Sequence, residues 1–299
     1  MTHQKNNFLG NKVRAGFRYA GSNDGITLIE LMVAMAIAGI VLMAIYSAYR
    51  TQSTIYRTQS VELAMQQNLR GAAYLLESEI RMAGYDMNDT GTFGITDIRF
   101  RNINNIPDVN GNSAITFTSD LNDDGALDTN ETFSYSICDC PILTPNGILD
   151  MARDNGANRQ IIGESIVALG LAYAFDNDGD GRLDLSANGN VIWAIDSNND
   201  NVLDLNLDTN DDGEIDNVDD TNGDGNIEGT ALGSNVPVGN IRAVRGWILA
   251  RTKTPMLQYT DNNTYIVGNR IISPIALGTQ SYKHRLLVST INCRNLGMQ

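Results

Sequence analysis

Apolar residues are distributed along this chain in three successive patterns. From 26 to 46 they run almost without interruption, with Glu30 the single charge and no proline, over about the length that crosses a bilayer as a helix. From Ser47 to about Met82 there is again no proline, and Ile55, Leu63, Leu69, Leu76 and Ile80 recur at helical spacings among polar residues until Gly84 can stop the helix. No linker separates the two stretches. The pattern therefore predicts one helix over 26–83, ~87 Å long at 1.5 Å per residue. Its first half is apolar all round, and its second half offers a stripe to a head domain. Beyond Gly84 the pattern changes to short runs between turn residues. These predict strands at 98–103, 114–118, 132–137, 166–175, 191–195, 242–251, 265–267 and 282–292. One long helix followed by consecutive strands predicts an α+β fold, with an antiparallel β-sheet head packed on the helix.

Residues 1–25 carry Lys5, Lys12, Arg14 and Arg18 against Asp24 alone, which predicts a cytoplasmic N-terminus before a single membrane pass at 26–46. An ordinary secretory signal has a shorter apolar run and a small-residue cleavage site. Glu30 is out of place in such a helix: a carboxylate there costs roughly 2.5–3.5 kcal/mol on insertion scales. It either serves a function with a partner or snorkels to the headgroups.

Gly25-Ile26-Thr27-Leu28-Ile29-Glu30 followed by the apolar run resembles the class III signal of type IV prepilins and pseudopilins. The resemblance implies cleavage by a prepilin peptidase between Gly25 and Ile26, N-methylation of Ile26, and subunit docking through Glu30 onto the free amine of a neighbouring subunit. A buried carboxylate and a buried ammonium neutralise each other in a low-dielectric bundle, so the chemistry agrees. Residues 164–181, 241–251 and 282–295 are similar, in that order, to the strands of PilW-type minor pilins. The implied organisation is a cleaved leader at 1–25, the long helix at 26–83 and a pilin head at 84–299. The implied role is a minor pilin that helps initiate a type IV pilus. Its partners would be other minor pilins and the major pilin, and it would lie in the bacterial inner membrane, head periplasmic, before display at the cell surface. The alternatives are a calcium-dependent adhesive module at the pilus tip and a type II secretion pseudopilin.

Composition changes this picture in one region. The formal charge is −14, yet of 35 acids and 21 bases, residues 120–131 and 176–228 together hold 21 acids and one base. The remainder is slightly basic. Nothing in the balance suggests nucleic-acid binding, which needs a basic face. The first acidic stretch satisfies D-x-D/N-x-D/N-G-x5-E in full, with Asp120, Asn122, Asp124, the carbonyl of Ala126, Asp128 and Glu131 at the ligand positions of a calcium loop. Four partial loops follow. They are Asp176/Asp178/Asp180/Asp184, Asp196/Asn198/Asp200/Asp204, Asp208/Asn210/Asp212/Asp216 with Asp219 at position 12, and Asp220/Asn222/Asp224/Glu228. The last three start twelve residues apart, an internal repeat. The third loop has Asn201 where the turn glycine belongs, and the second, third and fifth lack an acid at position 12. Position 8 is apolar throughout (Leu127, Leu183, Leu203, Ile215, Ile227), which predicts stacking on a shared small core. These loops resemble the calcium-laden acidic repeats of extracellular proteins such as thrombospondin. Hard oxygen ligands select Ca²⁺.

Cys138, Cys140 and Cys293 are disulfide candidates in an oxidising periplasm. A bridge from either of the first two to Cys293 is expected, since a two-residue separation strains a Cys138–Cys140 bond. His284, between Lys283 and Arg285, is expected to be solvated. Nucleotide, hydrolase and zinc-protease motifs are missing from the sequence, and an enzyme is not expected.

Overall fold

The computed structural model describes residues 25–101, 108, 111–139 and 149–297. The expected leader, apart from Gly25, and Cys140 lie outside these residues. Two compact units divide the chain, residues 1–55 and 56–299.

Helix α1 spans Leu28–Ile80, within the predicted 26–83, and residues 81–84 form a turn that ends on Gly84 at φ +75°. In the first unit every described residue is exposed, Ile26, Leu28 and Ile29 at 80, 76 and 71%. α1 carries one stretch long and apolar enough to cross a membrane. In the second unit the helix has a covered face: Met65, Leu69, Ala72, Ala73, Leu76, Ile80 and Ala83 are buried. The predicted stripe was right from Leu69 onward. Ile55 and Leu63 are 51 and 57% exposed, and Met65 and the alanines take the contact instead, because small residues let the sheet approach the helix closely.

The fold is α+β, as the pattern predicts, but the head has two main antiparallel sheets rather than one. The first runs β1 (Ile95–Asp97), β2 (Ile115–Thr118), β3 (Thr132–Cys138), β4 (Asp150–Asp154) and β5 (Arg159–Gly163), in that order. The second is built from β6 (Ile166–Phe175), β7 (Ala194–Ile195), β8 (Val202–Asn206), β9 (Thr230–Pro237), β10 (Ile241–Arg251) and β13 (His284–Asn292). Its spatial order is β13-β10-β6-β7-β8-β9. A hairpin, β11 (Tyr265–Val267) and β12 (Arg270–Ile272), stands beside them. The strand expected at 98–103 does not form over residues 98–100; β1 lies just before it and ends at Asp97, and residues 102 and 103 lie outside the described ones. β4, β5, β8, β9 and β12 were not foreseen. β8 and β9 fall within or just beyond the acidic stretch, where polar composition hides a strand pattern.

β6 is buried on both faces. Leu169, Leu171, Tyr173 and Phe175 join the core that contains the α1 stripe, while Ala168, Ala172 and Ala174 join a second core. That second core holds Trp193, Leu207, Ile215, Ile227 and Trp247. The acidic region therefore supplies the cover for the sheet's far face. Gly170 is required at this level: a Cβ there would lie 2.3 Å from the backbone nitrogen of Gly268, in the turn of the β11–β12 hairpin.

Candidate functional site

The five acidic loops share one backbone. Position 6 has positive φ in each: Gly125, Asn201 and Gly213 at +74, +70 and +90°, for example. Position 4 does too, at Asp123, Gly179, Asn199, Asp211 and Gly223. Only Gly, Asn and Asp enter that region at low cost, so Asn201 is a workable substitute for the turn glycine. In every loop the position-6 N–H donates to Oδ2 of the first aspartate, over 2.6 to 3.0 Å. The position-7 N–H donates to Oδ1 of the position-5 aspartate (Asp124, Asp180, Asp200, Asp212, Asp224), over 2.8 to 3.0 Å. Carboxylates are thereby turned into the loop by the chain's own amides.

The loops close in two ways. In the first and fourth, a fully buried acid at position 12 does it. Glu131 accepts the N–H groups of Leu121 and Asp128, and Asp219 those of Thr209 and Asp216. In the other three the position-9 acid reaches back to the position-2 N–H: Asp184 to Asn177, Asp204 to Ser197, Glu228 to Thr221. The missing twelfth acid is thus compensated from position 9. Among the described residues, three carboxylates converge with ligand oxygens within 4.8 Å at two places, Asp176/Asp178/Asp184 and Asp220/Asp224/Glu228. Either cluster could hold a metal ion. In the first loop the Asn122 amide lies between Asp124 and Asp128, 3.1 Å from each. In the third and fourth, Asn198 and Asn210 bond Asp200 and Asp212 in the same way. In the fifth, Asn222 accepts the Asp224 N–H at 2.8 Å.

Electrostatics within the loops is mixed. Burial pushes the pKa of Asp184 and Asp196 up, helped by neighbouring carboxylates. For Asp176 burial is outweighed by the Gly179 and Gly181 amides, which hold its pKa down. An all-oxygen donor set suits a hard cation, whose charge offsets the mutual repulsion of the carboxylates.

The shared small core expected under position 8 is not what forms. Leu183, Ile215 and Ile227 pack into the second core, Leu203 into the first, and Leu127 is 47% exposed. Each loop instead fastens a different segment; in the second, the Asp176 N–H donates to the Asn240 carbonyl and Asn177 Oδ1 accepts from the Asn240 amide, both at 3.0 Å. The first loop holds residues 84–88. Asn199 and Asn201 of the third accept the N–H groups of Phe100 and Ile98 at 2.7 and 3.0 Å, just beyond β1. Asp211 of the fourth accepts from Asn190 at 3.1 Å. The Gly225 carbonyl of the fifth accepts the Ile271 N–H of β12 at 2.8 Å.

At the other end of the chain, Thr27 precedes the first turn of α1 and Glu30 sits three residues on. Glu30 Oε2 accepts from the Thr27 N–H and hydroxyl at 2.9 Å each, and the Glu30 N–H donates to Thr27 Oγ1 at 3.3 Å. This is a reciprocal capping box. T-x-x-E is plain in the sequence and marks where the helix begins, a role not assigned to Glu30 from the sequence. Residues 22–46, which contain this box, match the prokaryotic N-terminal methylation motif, and residues 58–159 match prepilin peptidase-dependent protein B. The chain is pilin-like. A type IV-like pilin from Thermus thermophilus superposes on 78% of this pilin-like chain and 97% of its own, at 11% identity and a TM-score of 0.38. No curated protein matches it.

Two expectations about the head fail. Cys293 is free, fully buried beside β10, and its thiol is pushed up to about 12 by burial. Cys138 is disulfide-bonded without it. Cys138 ends β3 in the first sheet, while Cys293 follows β13 of the second and belongs to a different hydrophobic cluster. His284 is not solvated either. Its side chain is 3% exposed, and Nδ1 lies 3.0 Å from Oδ2 of the fully buried Asp261, which also accepts the Tyr265 hydroxyl at 3.0 Å. Burial lowers the His284 pKa, against the pull of Asp261. Asp261 is itself held low: burial raises it, and the bonds from Asn263, Tyr265 and His284 more than offset that.

A neutral His284 stabilises the fold fully above its unfolded pKa of about 6.5, and that contribution is lost as pH falls below it. The Asp261 contribution persists to lower pH, above its unfolded value of about 4. In chelator, the Tm of the pilin-like chain should therefore drop between pH 7 and pH 5. His284→Gln, which can still donate to Asp261, should flatten that drop; an unchanged slope would show that other groups carry it.

Proposed function

We propose that this chain is a PilW-type minor pilin of a type IV pilus, whose head is stabilised by calcium in its acidic loops. The observation that carries the reading is the methylation motif at 22–46, set at the start of a helix that runs without a break into a head packed against its second half. On this reading the prepilin peptidase cuts between Gly25 and Ile26. Residues 26–46 then anchor the subunit in the inner membrane, and the bare apolar half of α1 enters the filament among other pilins. Glu30, which among the described residues is engaged by Thr27, would neutralise the Ile26 ammonium of a neighbour, exchanging an N-cap for an ion pair shielded from water. The head lies outside the cytoplasm, where millimolar calcium can fill sites of modest affinity. The role is structural rather than enzymatic.

Glu30→Ala tests the docking step. Cleavage by the peptidase should be normal, while the variant should be missing from sheared filaments on an immunoblot. Normal recovery of the variant would remove Glu30 from assembly. Deletion of the gene should abolish piliation and twitching. Loss of protein secretion with intact pili would instead assign the chain to a type II secretion pseudopilus, and loss of attachment with normal pili to adhesion.

A further inference from the structure

The five loops are not equivalent at their first aspartate. Asp176, Asp196, Asp208 and Asp220 each have both carboxylate oxygens bonded to loop amides, from Gly179 and Gly181, Asp200 and Asn201, Asp212 and Gly213, and Gly223 and Gly225. Asp120 differs. Its Oδ2 accepts the Gly125 N–H at 3.0 Å, but its Oδ1 is buried with no partner, in a residue only 1% exposed. A buried carboxylate oxygen without a donor is strongly unfavourable unless a cation completes it. Asp120 also begins the one loop with the full ligand set, and Glu131, at its far end, is wholly buried.

The same loop holds the chain where it leaves α1. The Asp120 N–H donates to the Tyr85 carbonyl at 2.9 Å, and the Gly84 N–H to the Thr118 carbonyl at 2.9 Å. The Tyr85 hydroxyl donates to Asp123 Oδ1 at 3.1 Å. Asn88 presses so closely on Gly125 that a Cβ there would lie 2.6 Å from its Nδ2. Residues 84–88 are therefore laid across the loop, and what orders the loop orders them.

We propose that the Asp120–Glu131 loop is the tightest of the five cation sites, taking one hard divalent ion, and that its occupancy fixes residues 84–88 at the exit from α1. This rests on the reading of the acidic loops as calcium sites. The fifth loop also keeps a buried oxygen without a partner, Glu228 Oε1, but on a half-buried side chain rather than on its first aspartate. Loops whose first aspartate is already satisfied by amides lose less when empty, so their sites fill later.

The test uses the full-length protein in detergent, stripped with EDTA and titrated with calcium in a calorimeter, with amide hydrogen exchange measured in parallel. The wild type should show one tight equivalent before the weaker phases, and calcium should slow exchange across 84–91 at least tenfold. Asp120→Asn keeps the size of the side chain and an oxygen for the Gly125 amide, but turns an N–H toward the ion. It should lose the tight phase and the protection of 84–91, while 196–228 stays protected. Asp196→Asn should leave the tight phase intact. Should Asp120→Asn not fold, Tyr85→Phe decides: it should keep tight binding and reduce protection at 84–91. A tight phase that survives in Asp120→Asn, or exchange at 84–91 indifferent to calcium, overturns the proposal while leaving the calcium reading standing. Absence of any calcium heat in the wild type overturns both.

Discussion

Chelating calcium from the full-length protein should lower its melting temperature by roughly 5–11 °C for each occupied site and expose 196–228 to proteolysis. At free calcium ~100 times Kd, one site binding only the folded state contributes about 2.7 kcal/mol. Each kcal/mol moves Tm by roughly 2–4 °C in a domain of 150–250 residues. The effect should be large because the loops are joined to the core. Ile215, Ile227 and Leu207 cover one face of the second sheet, and β8 is formed by the second half of the third loop. Without metal, carboxylates 4 Å apart repel by about 1 kcal/mol per pair even in water, and that repulsion acts on the cover of the second core. Magnesium, smaller and reluctant to shed water, should restore less of the Tm than calcium. Identical melting and digestion patterns in EDTA and in millimolar calcium would falsify the stabilising role.

Glu79→Leu should destabilise the head by about 3–5 kcal/mol, the usual result of removing one partner from a buried ion pair. Glu79, near the end of α1, receives two nitrogens of Arg153 on β4, at 2.7 to 3.0 Å, and the Tyr135 hydroxyl of β3. Both charged side chains are less than a fifth exposed, 13% for Arg153 and 17% for Glu79. The truncation therefore strands a guanidinium at the seam between helix and first sheet. Tyr135 is raised far above an ordinary phenol, by burial first and by Glu79 second, so it stays a neutral donor. The double variant Glu79→Leu with Arg153→Met should recover most of the loss, because replacing both partners with apolar groups is often close to neutral. Chemical denaturation of the single and double variants measures this. A single variant as stable as wild type would mean the pair contributes nothing to helix docking.

Particular residues show how far the chain could be read in one dimension. The helix was legible to within three residues at either end, since periodicity, the absence of proline and Gly84 are all local. Its N-terminal boundary was written in Thr27 and Glu30, though the glutamate stood out first for its charge. The loop registers were legible because ligand spacing is a local constraint, and the double left-handed geometry sits on Asp, Asn and Gly at positions 4 and 6. β8, by contrast, is five residues, Val202–Asn206, with a loop acid inside it. Its pairing with β7 and β9 depends on where those strands lie, and no local pattern contains that.

By itself the sequence determined the long helix, its apolar first half, the α+β order and the register of the five acidic loops, because each depends on residues within a turn or two of one another. Only the tertiary structure decided that the acidic region is the lid of a second core, that Cys293 is free and His284 buried. It alone also singles out Asp120 as the one first-position aspartate left with an unpaired oxygen. Those outcomes turn on which distant backbone and side-chain groups arrive at a residue, and burial and hydrogen-bond satisfaction are properties of that arrival rather than of the residue's neighbours in the chain.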